Sequence, residues 1–97
     1  MYTIFLNETF FTINNFSRNT YFQDDGTFTS NGYFNLNNTN DVVASLHALA
    51  QDSITSLVIK RGENTIYDAG EIDAKIQSID ENLNMDEVNI NVNIKFN

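Results

Sequence analysis

The sequence contains no cysteine, no proline and no tryptophan, and only 5 of its 97 residues are lysine or arginine. Without cysteine there can be no disulfide bridge, no thiol nucleophile and no cysteine-ligated zinc ion. Because 13 acidic residues oppose the 5 basic ones, the formal net charge is -8. A charge of this sign opposes binding to nucleic-acid phosphates and to anionic membrane surfaces, so we expect direct contact with neither.

Long apolar runs are absent as well. Residues 1–8 contain no basic residue and only a short apolar run, Ile4-Phe5-Leu6, which is not the pattern of a signal peptide. No segment approaches the roughly 18 apolar residues that a membrane-spanning helix needs. Together with the lack of cysteine, these features predict a protein that is made and kept in a reducing cytoplasm.

The apolar residues that are present suffice for one core, and they predict a single domain over residues 1–97. Residues 2–36 hold seven of the eight phenylalanines and are interrupted by turn residues such as Asp25-Gly26, which predicts strands joined by hairpins. Within this stretch, Asn31-Gly32 marks either a break in one strand or a second hairpin. Residues 54–67 predict a further hairpin around positions 61–64.

Two later segments have clear periodicity. Apolar side chains at positions 42, 46, 49 and 50 lie on one face of a helix over residues 41–51, with Asp41 placed to complement the helix dipole and residues 38–40 as candidate N-caps. Residues 88–96 alternate strictly between apolar side chains and mostly asparagine, which predicts a strand with one buried face.

Residues 71–84 are compatible with two structures. Ile72, Ile76, Ile79 and Leu83 have helical spacing, which favours a helix. The alternative is a strand, interrupted by a bulge, that pairs with residues 88–96. We take the helix as the prediction, so the expected fold class is α+β: a mainly antiparallel β-sheet with one or two short helices packed on it.

Acidic residues concentrate between positions 68 and 87, where seven acids and one lysine, Lys75, leave a local charge of -6. A dense anionic surface can imitate nucleic-acid phosphates and occupy a basic groove on a protein partner. The plainer alternative is a solvated surface that keeps the protein soluble. The candidate partner-binding residues are Asp68, Glu71, Asp73, Asp80, Glu81, Asp86 and Glu87.

No residue pattern predicts catalysis, a metal ion or a cofactor. His47 is the only histidine, and it has no partner at the spacing of a catalytic triad or of a zinc site. Asp24-Asp25-Gly26 lacks the further oxygen ligands of a calcium loop and predicts a turn. We therefore expect a protein that is not an enzyme and binds no cofactor.

Two other features suggest contact surfaces. The aromatic side chains of residues 10–34 exceed what one small sheet face can bury, which suggests an exposed aromatic patch at a protein interface. Asparagine is the commonest residue, with 16 copies, and the codon bias of an AT-rich genome explains most of them. The row Asn89, Asn91 and Asn93 is unusual for a strand face, and if that strand lies at an edge it is suited to extend a partner's sheet.

Residues Asp52-Ser53-Ile54-Thr55-Ser56-Leu57-Val58-Ile59-Lys60, followed by a turn, Tyr67 and the acidic stretch, resemble small phage-encoded anti-CRISPR proteins that mimic DNA. The resemblance covers about a third of the chain. It implies that the acidic residues bind a basic, nucleic-acid-binding surface of a CRISPR-Cas effector.

Two functional hypotheses follow. The first is a non-enzymatic phage-type inhibitor that binds a basic surface of a host defence complex. The second is a small virion structural protein of the head, neck or tail, which forms homo-oligomers through repeated subunit contacts of the aromatic sheet and the asparagine-bearing strand.

Overall fold

Most of the described residues lie in β-strands. The computed structural model describes residues 1–37, 40–83 and 88–96. Within these ranges the elements are β1 (Tyr2–Leu6), β2 (Thr9–Ile13), β3 (Asn15–Phe22), β4 (Phe28–Asn37), α1 (Asn40–Leu49), β5 (Leu57–Arg61), β6 (Asn64–Asp68), β7 (Ala74–Leu83) and β8 (Val88–Phe96). The predicted hairpins of residues 2–13, 18–36 and 54–67 are confirmed, although β3 begins earlier than expected and β5 later.

The strands form two four-stranded antiparallel sheets, whereas the sequence predicted one. The first sheet has the order β2-β1-β5-β6 and the second the order β3-β4-β8-β7. Ile4 of β1 faces Phe11 and Ile59 across the first sheet, and Phe34 of β4 faces Val92 across the second. All five side chains are buried in one hydrophobic cluster to which both sheets contribute. The core therefore lies between two layers. Six strands contribute buried side chains to it, and β3 and β6 contribute only partly buried ones.

The predicted helix is confirmed as α1, the one helix in the described ranges. Leu46 and Leu49 are buried, and Asp41 lies in the first turn, where its charge complements the helix dipole. His47 is exposed, and residues 38 and 39 lie outside the described ranges. Among the described residues, no helix has the length and apolar character needed to cross a membrane.

The prediction of a helix over residues 71–84 is wrong, and the alternative of a bulged strand is confirmed. β7 pairs with β8 from Ala74 to Leu83, with a shift of register between Ile76 and Ser78. At such a bulge the strand inserts one extra residue, so the alternation of inward and outward side chains restarts in the opposite phase. Apolar residues on the two sides of the bulge then acquire the spacing of a helix.

The asparagine-bearing strand β8 lies in the interior of its sheet. It pairs with β4 on one side and with β7 on the other, so its backbone groups are already used in two ladders. We predicted that β8 could extend a partner's sheet if it lay at an edge. It does not lie at an edge, so this condition is not met. The edges of the second sheet are β3 and β7, and those of the first are β2 and β6.

A single asparagine connects the first hairpin to the segment before β5. Asn7 has a positive φ of 56° in the turn between β1 and β2. Its side-chain Oδ1 accepts hydrogen bonds from the backbone N–H and the hydroxyl of Thr55, at 2.8 and 3.2 Å, and its Nδ2 donates to the carbonyl of Ser53 at 3.0 Å. One side chain thus joins segments that are distant in the sequence.

Gly32 lies in the middle of β4, which continues through it, so neither the strand break nor the second hairpin predicted at Asn31-Gly32 is present. A Cβ at this position would come within 3.0 Å of Phe96 Cε2 and 3.4 Å of Phe16 Cε2. Glycine is required because the two rings occupy the space that a side chain would fill.

We expect Gly32→Val to lower the free energy of unfolding by about 1–3 kcal/mol, because the added methyl groups displace both rings. Urea denaturation followed by circular dichroism measures the change. Asn31→Val is the control, since the neighbouring side chain lies on the outer face of the sheet. Equal stability of the two variants would show that the rings move aside without cost.

Candidate interaction surfaces

The structure places five of the seven predicted acidic residues on one path along the molecule. Asp68 ends β6, Glu71 and Asp73 lie in the connection from β6 to β7, and Asp80 and Glu81 lie within β7. All five side chains are exposed. The remaining two, residues 86 and 87, lie outside the described ranges. We call the five described residues the acidic edge, since they follow an edge strand of each sheet.

The carboxylates of the acidic edge are spread along a line and are not clustered on one surface. Asp80 lies six positions beyond Ala74, so at ~3.3 Å per residue the two are roughly 20 Å apart along the strand. Neighbouring residues of a strand point to opposite faces, so Asp80 and Glu81 project to different sides of the sheet. A helix would have brought these carboxylates onto one face. The acidic edge retains a negative field, but its carboxylates do not form a compact cluster that could fill a basic groove.

Asparagine side chains cover the outer face of the second sheet. By the register of its strands, this face carries nine of them: Asn15, Asn19, Asn31, Asn35, Asn37, Asn82, Asn89, Asn91 and Asn93. The sequence singled out only the last three, because the rest are brought together by pairing between strands. We call this surface the asparagine face.

Part of the asparagine face is organised by amide–amide hydrogen bonds. Asn14 Nδ2 donates to Asn35 Oδ1 at 2.7 Å, and Asn35 Nδ2 donates to Asn91 Oδ1 at 2.8 Å. Asn93 Oδ1 is buried and has no hydrogen-bond partner among the described residues. A buried acceptor without a donor is costly, so this oxygen is a local cost in the packing of the face.

The end of the β3–β4 hairpin carries exposed aromatic rings. Phe22 and Phe28 face each other in the last register pair, with ring centroids 6.3 Å apart, and they are 82% and 63% exposed. Tyr21 beside them is also exposed. By strand alternation, Phe22 and Phe28 lie on the side of the second sheet that faces the core. They are uncovered because β3 and β4 are 8 and 10 residues long, whereas each strand of the first sheet has 5.

We call Tyr21, Phe22 and Phe28 the hairpin tip. Its turn is well ordered by hydrogen bonds: the hydroxyl of Thr27 donates to Asp25 at 2.6 Å, and the Thr27 backbone N–H donates to the same carboxylate at 3.0 Å. These bonds hold the pKa of the Asp25 carboxyl below its ordinary value of 3.8. Because the folded-state pKa is lowered, the ionised carboxylate stabilises the turn at neutral pH, and this contribution is lost as the pH falls through the folded-state pKa. The turn predicted at residues 24–26 is confirmed.

The described residues contain no group of three or more histidine, cysteine, aspartate or glutamate side chains that could hold a metal ion. The surfaces described above carry aromatic rings, amides and carboxylates. No protein-family model matches the chain, and no curated protein or solved structure matches it either.

Proposed function

We propose that this protein is a non-enzymatic structural component that joins protein subunits, as the small head, neck and tail proteins of a phage virion do, and that the hairpin tip is its principal contact. The observation that carries the proposal is the exposure of Phe22 and Phe28 on the core-facing side of the sheet. An apolar surface that continues the core face without a cover is suited to be covered by a partner.

The energetics of the hairpin tip support a protein contact. Full burial of a phenylalanine side chain is worth about 1.5–3 kcal/mol, so the pair of rings can contribute several kcal/mol to an interface. Both rings are carried by an ordered two-stranded hairpin, which reduces the entropy lost on binding. An aromatic pair of this kind is typical of the anchor residues of protein interfaces.

The asparagine face supports the same role because it carries almost no net charge. Lys75, Lys95 and Asp80 are the charged side chains that the strand register places on this face, so it is close to neutral in a protein of net charge -8. Two subunits can approach through such a face without the repulsion that the rest of the surface imposes. Amide side chains also donate and accept hydrogen bonds, so they can pair with identical groups on a second copy.

Analytical ultracentrifugation over a series of protein concentrations tests the proposal. We expect the wild-type chain to form a discrete oligomer and the double variant Phe22→Ser/Phe28→Ser to remain a monomer, because the substitutions remove the apolar contact and leave the buried core intact. Phe10→Ser is the matched control. Phe10 is also exposed, at 65%, but it lies on β2 of the first sheet. A wild-type chain that stays monomeric throughout, or an oligomer that survives the double substitution, would refute the role of the hairpin tip.

The acidic edge favours a second candidate function, inhibition of a basic, nucleic-acid-binding protein complex such as a CRISPR-Cas effector in the host cytoplasm. Five exposed carboxylates along one path attract a cationic surface over a long range. The variant Asp68→Asn/Glu71→Gln/Asp80→Asn/Glu81→Gln removes four of these charges. Competition with duplex DNA for the effector, measured at low and high salt, should be strong for the wild type and absent for the variant. Equal competition by both proteins would exclude phosphate mimicry.

A further inference from the structure

A groove opens between the two sheets on the side where β3 and β6 form their edges. It has a volume of about 520 Å³, which is in the size range of small-molecule sites. Its apolar lining includes Ile13, Phe16, Ile59, Ile66 and Tyr67, and Arg18 is the one cationic residue that lines it. An apolar groove with one charged group is the arrangement expected for a ligand with an apolar body and one charged end.

Arg18 is held in position by three uncharged partners. Its Nε donates to Ser30 Oγ at 2.7 Å, its Nη1 donates to the hydroxyl of Tyr67 at 2.7 Å, and the guanidinium carbon lies 4.1 Å from the centre of the Phe96 ring. The contact with Tyr67 bridges the second sheet to the first. Among the described residues, Nη2 makes no further hydrogen bond, so one edge of the guanidinium is available to another acceptor.

The charge of Arg18 is not matched by any of these contacts. A guanidinium that lies on an aromatic ring and donates to hydroxyl groups keeps its full positive charge. Carboxylate is the group that matches a guanidinium best, because its hydrogen bonds to the free N–H groups are assisted by the opposite charges. In a chain with 13 acidic residues, the position of this arginine beside neutral groups leaves it available for an external carboxylate.

We propose that the groove binds a small amphiphile that carries a carboxylate, with its alkyl or aromatic body against Ile59, Ile66 and Phe16 and its carboxylate on Arg18. Charge complementarity selects this ligand class: the apolar lining rejects small hydrophilic anions, and the arginine distinguishes a carboxylate from an alcohol of the same length. Tyr67 contacts both parts of the site, since its ring lies 5.7 Å from that of Phe16 and its hydroxyl accepts from Arg18.

Titration calorimetry with decanoate, decanol and decyltrimethylammonium tests the proposal on the full chain. We expect decanoate to bind at least about tenfold more tightly than decanol and the cationic probe to bind weakest, since only decanoate places a carboxylate on Arg18. Arg18→Gln should abolish the preference for decanoate over decanol, and Arg18→Lys should retain part of it. Lys95→Gln is the control, because it makes the same change of charge on the opposite, outer face of the second sheet.

Ile66→Asp provides a test that does not depend on Arg18. Ile66 lines the groove and is 52% exposed, so the substitution leaves the core intact and sets a negative charge beside the alkyl chain. We expect decanoate binding to fall at least about tenfold while the folded spectrum is unchanged. Equal affinity of the wild type for decanoate and decanol, persistence of the preference in Arg18→Gln, or no saturable binding of decanoate would overturn the proposal. Arg18 would then serve only to hold the two sheets together.

Discussion

Phe34→Ala is expected to destabilise the fold more than any other single truncation of an aromatic side chain, by about 3–5 kcal/mol. Phe34 is 1% exposed and lies at the centre of β4, where it faces Val92 of β8 and Phe16 of β3. Its removal leaves a cavity between the two sheets that neighbouring strands cannot close. Since domains of this size are stable by about 5–15 kcal/mol, the loss is a large fraction of the total. Guanidinium denaturation monitored by tyrosine fluorescence measures it.

Phe22→Ala is the matched control for that variant. It removes the same ring from the neighbouring strand, but Phe22 is almost fully exposed, so we expect a change within about 0.5 kcal/mol. The pair of variants separates aromatic residues that stabilise the fold from those that are available for contact. A loss of stability in Phe22→Ala comparable to that in Phe34→Ala would mean that the hairpin tip is part of the core and would remove the basis of the proposed function.

Asn7→Ala is expected to cost about 3 kcal/mol, which is unusual for a half-buried polar residue in a turn. Two effects add. The variant loses the side-chain hydrogen bonds to Thr55 and Ser53, worth about 1 kcal/mol each, and it forces alanine into the left-handed region at a cost of about 1–2 kcal/mol. Urea denaturation gives the total. Hydrogen exchange should show the loss concentrated in the segment 53–56 and in the first hairpin.

Two further substitutions at the same position separate the effects. Asn7→Gly removes the hydrogen bonds but tolerates the positive φ, so we expect it to be about 1 kcal/mol more stable than Asn7→Ala. Asn7→Asp keeps the acceptor for Thr55 and loses the donor to Ser53. If all three variants were as stable as the wild type, the connection between the hairpin and residues 53–56 would have no energetic role.

The sequence predicted those strands whose alternation is uninterrupted. Residues 88–96 and the hairpin of residues 2–13 follow this rule, because a period of two over several residues is incompatible with a helix. The hairpin of residues 54–67 has a shift of register between Ile59 and Lys60, and it was predicted from the turn residues at positions 61–64. Residues 71–84 do not. The bulge between Ile76 and Ser78 restarts the alternation, and Ile72, Ile76, Ile79 and Leu83 then imitate a helical face. Because the alternation changes phase within the segment, the spacing of its apolar residues favours a helix although the segment is a strand.

The candidate surfaces were less predictable, because they depend on how strands align. The exposure of Phe22 and Phe28 follows from the difference in length between the two sheets, which no local pattern contains. The asparagine face requires the register of four strands that are distant in sequence. Arg18 is the one basic residue among the aromatic residues of 10–34, which is the only feature of the sequence that points to it. Its partner Tyr67 is brought to it only by the packing of the two sheets.

The interior position of β8 has a consequence for synthesis on the ribosome. β3 and β4 leave the exit tunnel well before β7 and β8, yet β4 cannot fill one of its two ladders until β8 has emerged. During that interval the nascent chain exposes an unpaired strand edge together with its inward phenylalanine and leucine side chains, a surface prone to association with other chains. The protein should therefore fold late and all at once, with its rate set by long-range pairing.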